Sequence, residues 1–97
     1  WDTRLVTNMS GLFSNSMFDE DISKWDTASV TSMAFMFRNA SFNQDVSRWD
    51  TGHVRDMRRM FSDASDFDQD LSSWDIESVT DIGAMFLYAK SFDRALG

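Results

Sequence analysis

Residues 25–48 read W-D-T-A-S-V-T-S-M-A-F-M-F-R-N-A-S-F-N-Q-D-V-S-R, and residues 49–73 read W-D-T-G-H-V-R-D-M-R-R-M-F-S-D-A-S-D-F-D-Q-D-L-S-S. The second stretch repeats the first, with its apolar residues in the same places. Trp1, Trp25, Trp49 and Trp74 open four such copies, 24, 24 and 25 residues apart, so the phrase fills the chain. A unit this short cannot bury its own apolar face and makes a core only by stacking on its neighbours. The sequence therefore predicts one domain of four repeats, 1–24, 25–48, 49–73 and 74–97. No proline or glycine-rich linker divides it. Because neither outer repeat carries a polar cap, the chain is expected to be a segment of a longer array.

Aligned on the tryptophans, the apolar residues fall into columns. Val6, Val30, Val54 and Val79 form one, Met9, Met33, Met57 and Ile82 a second, Leu12, Met36, Met60 and Met85 a third, and Phe13, Phe37, Phe61 and Phe86 a fourth. Small residues follow at Ser16, Ala40, Ala64 and Ala89, then Phe18, Phe42, Phe67 and Phe92, then Ile22, Val46, Leu71 and Leu96. Val30, Met33, Phe37 and Ala40 are spaced i, i+3, i+7, i+10, which predicts a short helix with one buried face. Thr7, Thr31 and Thr80 are expected to cap those helices. Asp45-Val46-Ser47-Arg48-Trp49 follows a polar turn and predicts one short strand per repeat, paired with its copies in a parallel ladder. The expected fold class is thus an α/β solenoid. The extra residue before Phe67 and Phe92 predicts a loop that absorbs length at Ser65-Asp66 and Lys90-Ser91.

The string F-N-Q-D-V-S-R-W-D-T-G-H-V-R-D-M-R-R-M-F-S-D-A at residues 42–64 resembles the roughly 25-residue repeat of the mycoplasma-type surface lipoproteins, a family of unknown function. It is also similar to the BspA-like, bacterial surface type of leucine-rich repeat. The resemblance covers essentially the whole chain. It implies a right-handed, leucine-rich-repeat-like solenoid, extracellular or on a cell surface, used for adhesion or protein contacts, with no catalytic residue. Ile76, Arg55 and Ala95 depart from the repeat pattern.

A net charge of -7 and a pI near 4.3 make nucleic acid and acidic membranes poor partners, and leave a protein, a cation or a neutral glycan. No stretch approaches the roughly 18 apolar residues of a membrane helix, and any signal or anchor is expected outside this segment. Absence of cysteine excludes disulfides and thiolate metal sites. Asp2, Asp26, Asp50 and Asp75 follow the tryptophans, and Asp21, Asp45 and Asp70 precede the expected strands. Like charges stacked about 5 Å apart repel by about 1 kcal/mol even in water, so something must compensate. Asx turns, in which each carboxylate accepts a nearby backbone N–H, are the favoured answer. Calcium between repeats is the alternative, with Asp19, Asp21, Asp68 and Asp70 as ligands, although no spacing here matches a known calcium loop. No other cofactor is implied. Thr3, Thr27 and Thr51, with Ser23, Ser47 and Ser72, would form hydroxyl ranks. The lone His53 shares a column with Leu5, Ser29 and Ser78 and reads as a solvated surface residue, so an enzyme is not expected.

Function is to be sought where the copies differ. Arg55, Arg58 and Arg59 are spaced i, i+3, i+4, on one face of the expected third helix. Phe35 is the one phenylalanine outside the columns, and Leu87-Tyr88 replaces small polar pairs. These are residue types found at contact hot spots, so Phe35, Arg55, Arg58, Arg59 and Tyr88 are the candidate partner-binding residues. The expected function is a non-catalytic extracellular or cell-surface module that mediates protein binding or adhesion. The alternative is a structural subunit whose unfinished ends stack head to tail into a filament or surface layer.

Overall fold

Each repeat can satisfy its amides internally, as a helix, or sideways, against the next copy. The computed structural model, which describes residues 2–94, takes the sideways solution. Trp1, Ala95 and Leu96 lie outside the described residues. The repeats form four layers, each laid in register on the one before, and among the described residues there is no helix. The β pairing between described residues consists of isolated parallel bridges, Asn8 with Ser32, Ser32 with Asp56, and Asp56 with Asp81. The expected α/β leucine-rich-repeat-like solenoid, with a helix and a strand in every repeat, is therefore wrong.

The reason lies in the segment read as a helix. In the second layer the Met36, Arg38 and Ala40 amides donate to the carbonyls of Met33, Phe35 and Phe37, three residues back rather than four. Between them, the Met33, Phe35, Phe37 and Asn39 amides donate to the carbonyls of Asp56, Arg58, Met60 and Ser62 in the next layer. The segment is a run of overlapping tight turns whose alternate amides form a ladder. Positive φ recurs at Gly11 and Asn15, Phe35 and Asn39, Arg59 and Asp63, and Ala84 and Tyr88, the third position of the first and last turn in each run. A type II turn requires that conformation, and an α-helix forbids it. The composition agrees: between residues 30 and 40, Val, Thr, Ser, Phe and Asn outnumber good helix formers, and so short a helix would be marginal alone. The sideways bonds also tie the layers together, which helical bonds would not.

The expected strand at residues 45–49 is a turn as well. The Ser47 amide donates to the Asp45 carboxylate and the Trp49 amide to the Val46 carbonyl, so the backbone reverses where a ladder would need it extended. The expected helix caps serve the layer stack instead: the hydroxyls of Thr31 and Thr80 donate to the carbonyls of Thr7 and Arg55, one layer back. In layers three and four the extra residue is absorbed by turns closing from Ala64 to Phe67 and from Ala89 to Phe92.

The columns themselves hold. Val30, Met33, Met36, Phe37, Phe42 and Val46 are fully buried, as are their partners Val54, Met57, Met60, Phe61, Phe67 and Leu71. Phe13, Phe37, Phe61 and Phe86 stack at centroid spacings of 5.6, 5.5 and 5.6 Å, and Trp25, Trp49 and Trp74 at 6.4 and 6.5 Å. Within a layer each of those phenylalanines also stacks on the next one along, as Phe37 does on Phe42 at 4.3 Å. The indole N–H groups of Trp49 and Trp74 donate to the carbonyls of Ile22 and Val46 at 3.0 and 2.9 Å, so the aromatic column also satisfies buried backbone.

Candidate functional site

The candidate residues sit on the run of tight turns. Its backbone fixes the first positive-φ column as Gly11, Phe35, Arg59 and Ala84, and the second as Asn15, Asn39, Asp63 and Tyr88. Glycine, asparagine and aspartate suit that conformation, whereas phenylalanine, arginine and tyrosine enter it against a steric cost of roughly 1–2 kcal/mol each. Three of the five candidates, Phe35, Arg59 and Tyr88, occupy such positions.

The structure brings two candidates together. Arg58 reaches from layer three over the ring of Phe35 in layer two, with Cζ 5.6 Å from the ring centroid, and its Nε lies 3.3 Å from the Asp56 carboxylate. Phe35 is half-buried under this contact rather than free in solvent. Arg59 stands one layer beyond Phe35 in the same column and is exposed. Tyr88 is 68% exposed in layer four, beside the partly exposed Leu87. Arg55 stands apart: its backbone holds the seam of bridges, accepting from the Thr80 and Asp81 amides, while its side chain is exposed. Since no helix forms, the i, i+3, i+4 spacing of the three arginines does not gather them on one face. The described ion pairs are Arg4 with Asp2, Arg58 with Asp56 and Arg94 with Asp68. Arg55 and Arg59 have no ion-pair partner among the described residues, although the chain is acidic.

The carboxylate ranks are turn chemistry. Asp2, Asp26, Asp50 and Asp75 each accept the amide two residues on, as do Asp21, Asp45 and Asp70. Asp21 titrates below the ordinary aspartate range because the Ser23 backbone and then its hydroxyl bond the carboxylate. Asp45 and Asp70 do so through the hydroxyls and then the amides of Ser47 and Ser72. A further rank that the sequence reading missed runs along the bridges: Asn8, Ser32, Asp56 and Asp81 accept the amides of Ser10, Ala34, Arg58 and Gly83 in the same way. Its signal was a short polar side chain just before the methionine column in every copy.

The calcium candidates lie in two layers, Asp19 and Asp21 in the first, Asp68 and Asp70 in the third. Asp19 accepts the Asn43 amide and the Gln44 side chain, and Asp68 accepts from Arg94. Among the described residues no group of three His, Cys, Asp or Glu is placed to hold a metal ion. The threonine rank is internal: Thr3, Thr27 and Thr51 are buried and donate to the carbonyls of Asp26, Asp50 and Asp75. His53 is exposed, with Nδ1 3.0 Å from the Ala28 carbonyl. No helix among the described residues is long and apolar enough to cross a membrane.

No curated protein and no solved structure matches the chain significantly. The likeness to BspA-like leucine-rich repeats fails, since the stacked tight turns lack that architecture and the family match points elsewhere. From residue 1 to residue 97 the sequence matches the family described as Mycoplasma protein of unknown function, DUF285, and the chain belongs to that family.

Proposed function

We propose that the chain is a non-catalytic binding module that acts outside the cell or on its surface, in adhesion or another protein contact, through the outer face of its turn run. One observation carries this reading. Where the repeat's own backbone favours glycine or asparagine, layers two to four place Phe35, Arg59 and Tyr88, so conformational strain is accepted in order to present large side chains at the surface. Arg58, held over Phe35, adds a cation with an apolar platform. Aromatic residues and arginine are the types that dominate contact energies. With Arg55 and Arg59 carrying no ion pair among the described residues, the partner of best electrostatic fit is an acidic protein segment with an apolar anchor. The location rests on the resemblance to surface lipoprotein repeats.

The test is peptide selection from a random displayed library against the immobilised 97-residue chain. Enrichment of acidic peptides bearing an aromatic or aliphatic residue, with binding lost in Arg58→Ala, Arg59→Ala and Phe35→Ala, supports the reading. Selected peptides that bind all three variants as well as the parent chain would remove the face from consideration.

A further inference from the structure

The tight turns set pairs of corner residues on the outer side of each layer. In layer two the turns from Met33 to Met36 and from Phe37 to Ala40 have Ala34 with Phe35 and Arg38 with Asn39 at their corners. In layer three the matching turns have Arg58 with Arg59 and Ser62 with Asp63. Ala34 and Ser62 are small and buried, so the longer side chains at the other corners form the surface. Three arginines share these corners with one aspartate, in a chain whose net charge is -7. Phe35 and Arg38 begin and end the turn between the two pairs, closed by the Arg38 amide on the Phe35 carbonyl at 3.2 Å, which keeps their Cα atoms within about 7 Å. The Phe35 amide donates to the Arg58 carbonyl at 3.0 Å, so Arg58 and Arg59 stand one layer away from the same residue. Arg38 is therefore a third cation beside the Phe35 ring.

The charge on this face is unevenly balanced. Arg38 and Arg59 have no ion-pair partner among the described residues, and Arg58 is paired with Asp56. The corner carboxylate, Asp63, accepts the Ser62 hydroxyl at 3.3 Å. Three guanidinium groups against Asp56 and Asp63 leave a single positive charge beside a half-buried ring. Guanidinium forks bind oxyanions through paired hydrogen bonds. A carboxylate, with two oxygens on an aliphatic stem, leaves one fork and the ring unused. A tetrahedral ester has three free oxygens, one for each arginine, and an aryl ester also brings a ring to lie against Phe35. A phosphate ester carries about 1.5 to 2 negative charges at neutral pH, more than this face offsets, whereas a sulfate ester carries one. Resting on the lateral binding face proposed above, we infer that Arg38, Arg58, Arg59 and Phe35 form a site for a sulfated tyrosine in the partner's acidic segment.

Four synthetic peptides test the site. Each has two aspartates on either side of a central residue, which is tyrosine, sulfated tyrosine, phosphorylated tyrosine or glutamate. In calorimetric titrations of the 97-residue chain the sulfated peptide is expected to bind roughly ten-fold tighter than the tyrosine and glutamate peptides, and at least as tightly as the phosphorylated one. Arg38→Ala is expected to abolish that preference, and Arg38→Lys, which keeps the charge and loses the fork, to retain only part of it. Arg48→Ala removes an equal charge from an exposed turn elsewhere and is expected to leave the preference intact. Circular dichroism checks folding, and Arg59→Ala takes the place of Arg38→Ala if the latter unfolds. Sulfated and unsulfated peptides bound alike, or a preference that survives both Arg38→Ala and Arg59→Ala, overturn the site. A phosphorylated peptide bound more tightly than the sulfated one overturns the choice of sulfate. Peptides that bind alike and lose affinity in Phe35→Ala leave the lateral face standing without this site, whereas no binding by any of the four removes both.

Discussion

Gly11 and Ala84 occupy the same column at opposite ends of the stack, at φ of +67° and +54°. The exchange Gly11→Ala and its mirror Ala84→Gly therefore probe one backbone conformation in both directions. A Cβ at residue 11 would meet no atom within 4 Å, so the substitution adds no clash and isolates the backbone term. The left-handed conformation costs an L-residue roughly 1–2 kcal/mol, and the smaller entropy of the unfolded alanine chain returns roughly 0.4–1 kcal/mol. Gly11→Ala should thus destabilise by about 0.5–1 kcal/mol and Ala84→Gly should stabilise by a similar amount. A helix in this segment gives the reverse signs, because glycine in a helix interior is less favourable than alanine by about 0.8–1 kcal/mol. Urea unfolding followed by far-ultraviolet circular dichroism reads both, with an unchanged slope confirming that stability alone has moved. Thermal midpoints should shift in opposite directions by roughly 2–8 °C for a domain of this size. A stabilised Gly11→Ala together with a destabilised Ala84→Gly would refute the tight-turn ladder.

Phe37→Ala should cost roughly 3–5 kcal/mol, since Phe37 is fully buried and stacks on Phe13, Phe42 and Phe61, whereas Phe35→Ala should cost about 1 kcal/mol or less, the worth of its contact with Arg58. Equal shifts in thermal melts would invalidate the assignment of inside and outside. Thr27→Val should lose about 1–2 kcal/mol by leaving the Asp50 carbonyl without its buried donor, while Thr27→Ser should keep most of that stability in the same melts. Acid should weaken the fold: Asp21, Asp45 and Asp70 hold protons less readily when folded than when unfolded, so their contribution is complete above the ordinary aspartate value of about 3.9 and is lost as pH falls through the lower folded values. A urea midpoint that rises between pH 5 and pH 3 would contradict this sign.

The columns were legible because stacking places like residues on like, so alignment alone finds the core. Met33, Met36, Phe37 and Ala40 lie on one face of a helix and equally on one side of a run of overlapping four-residue turns, so the spacing could not separate the two. What separates them is where the Met33, Phe35, Phe37 and Asn39 amides go, and that depends on a partner 23 residues away. Gly11 and Asn15, four residues apart, and Asn39, one layer on from Asn15, were the visible trace of positive φ. Phe35, Arg59, Ala84 and Tyr88 obscured it by filling the same columns with residues that ordinarily avoid that conformation. The site was legible as a set of departures and not as a geometry. Phe35 and Arg58 belong to different repeats, and their contact follows from the layer register, which no single repeat encodes.

The carboxylate ranks place a further demand on the stack. Asp2, Asp26, Asp50 and Asp75 follow one another layer by layer, as do Asp21, Asp45 and Asp70, and Asp21 is felt by Asp45 as a charge that opposes ionisation. The hydrogen bond to each carboxylate is local to its own layer, whereas the repulsion is between layers, so the two terms respond differently to salt. Repulsion over about one ladder spacing, roughly 5 Å, is strongest at low ionic strength and weakens as the Debye length falls from roughly 30 Å at 0.01 M to about 3 Å at 1 M. The exposed ion pairs of Arg4, Arg58 and Arg94 move the other way, but such pairs contribute little. Added sodium chloride should therefore raise the urea midpoint, and Asp50→Asn, which keeps the turn acceptor at the middle of its rank and removes the charge, should make the rise smaller. A midpoint that falls with salt, or an Asp50→Asn variant as salt-sensitive as the parent, would mean that the hydrogen-bonded turns and not the inter-layer repulsion set the electrostatic balance of the stack.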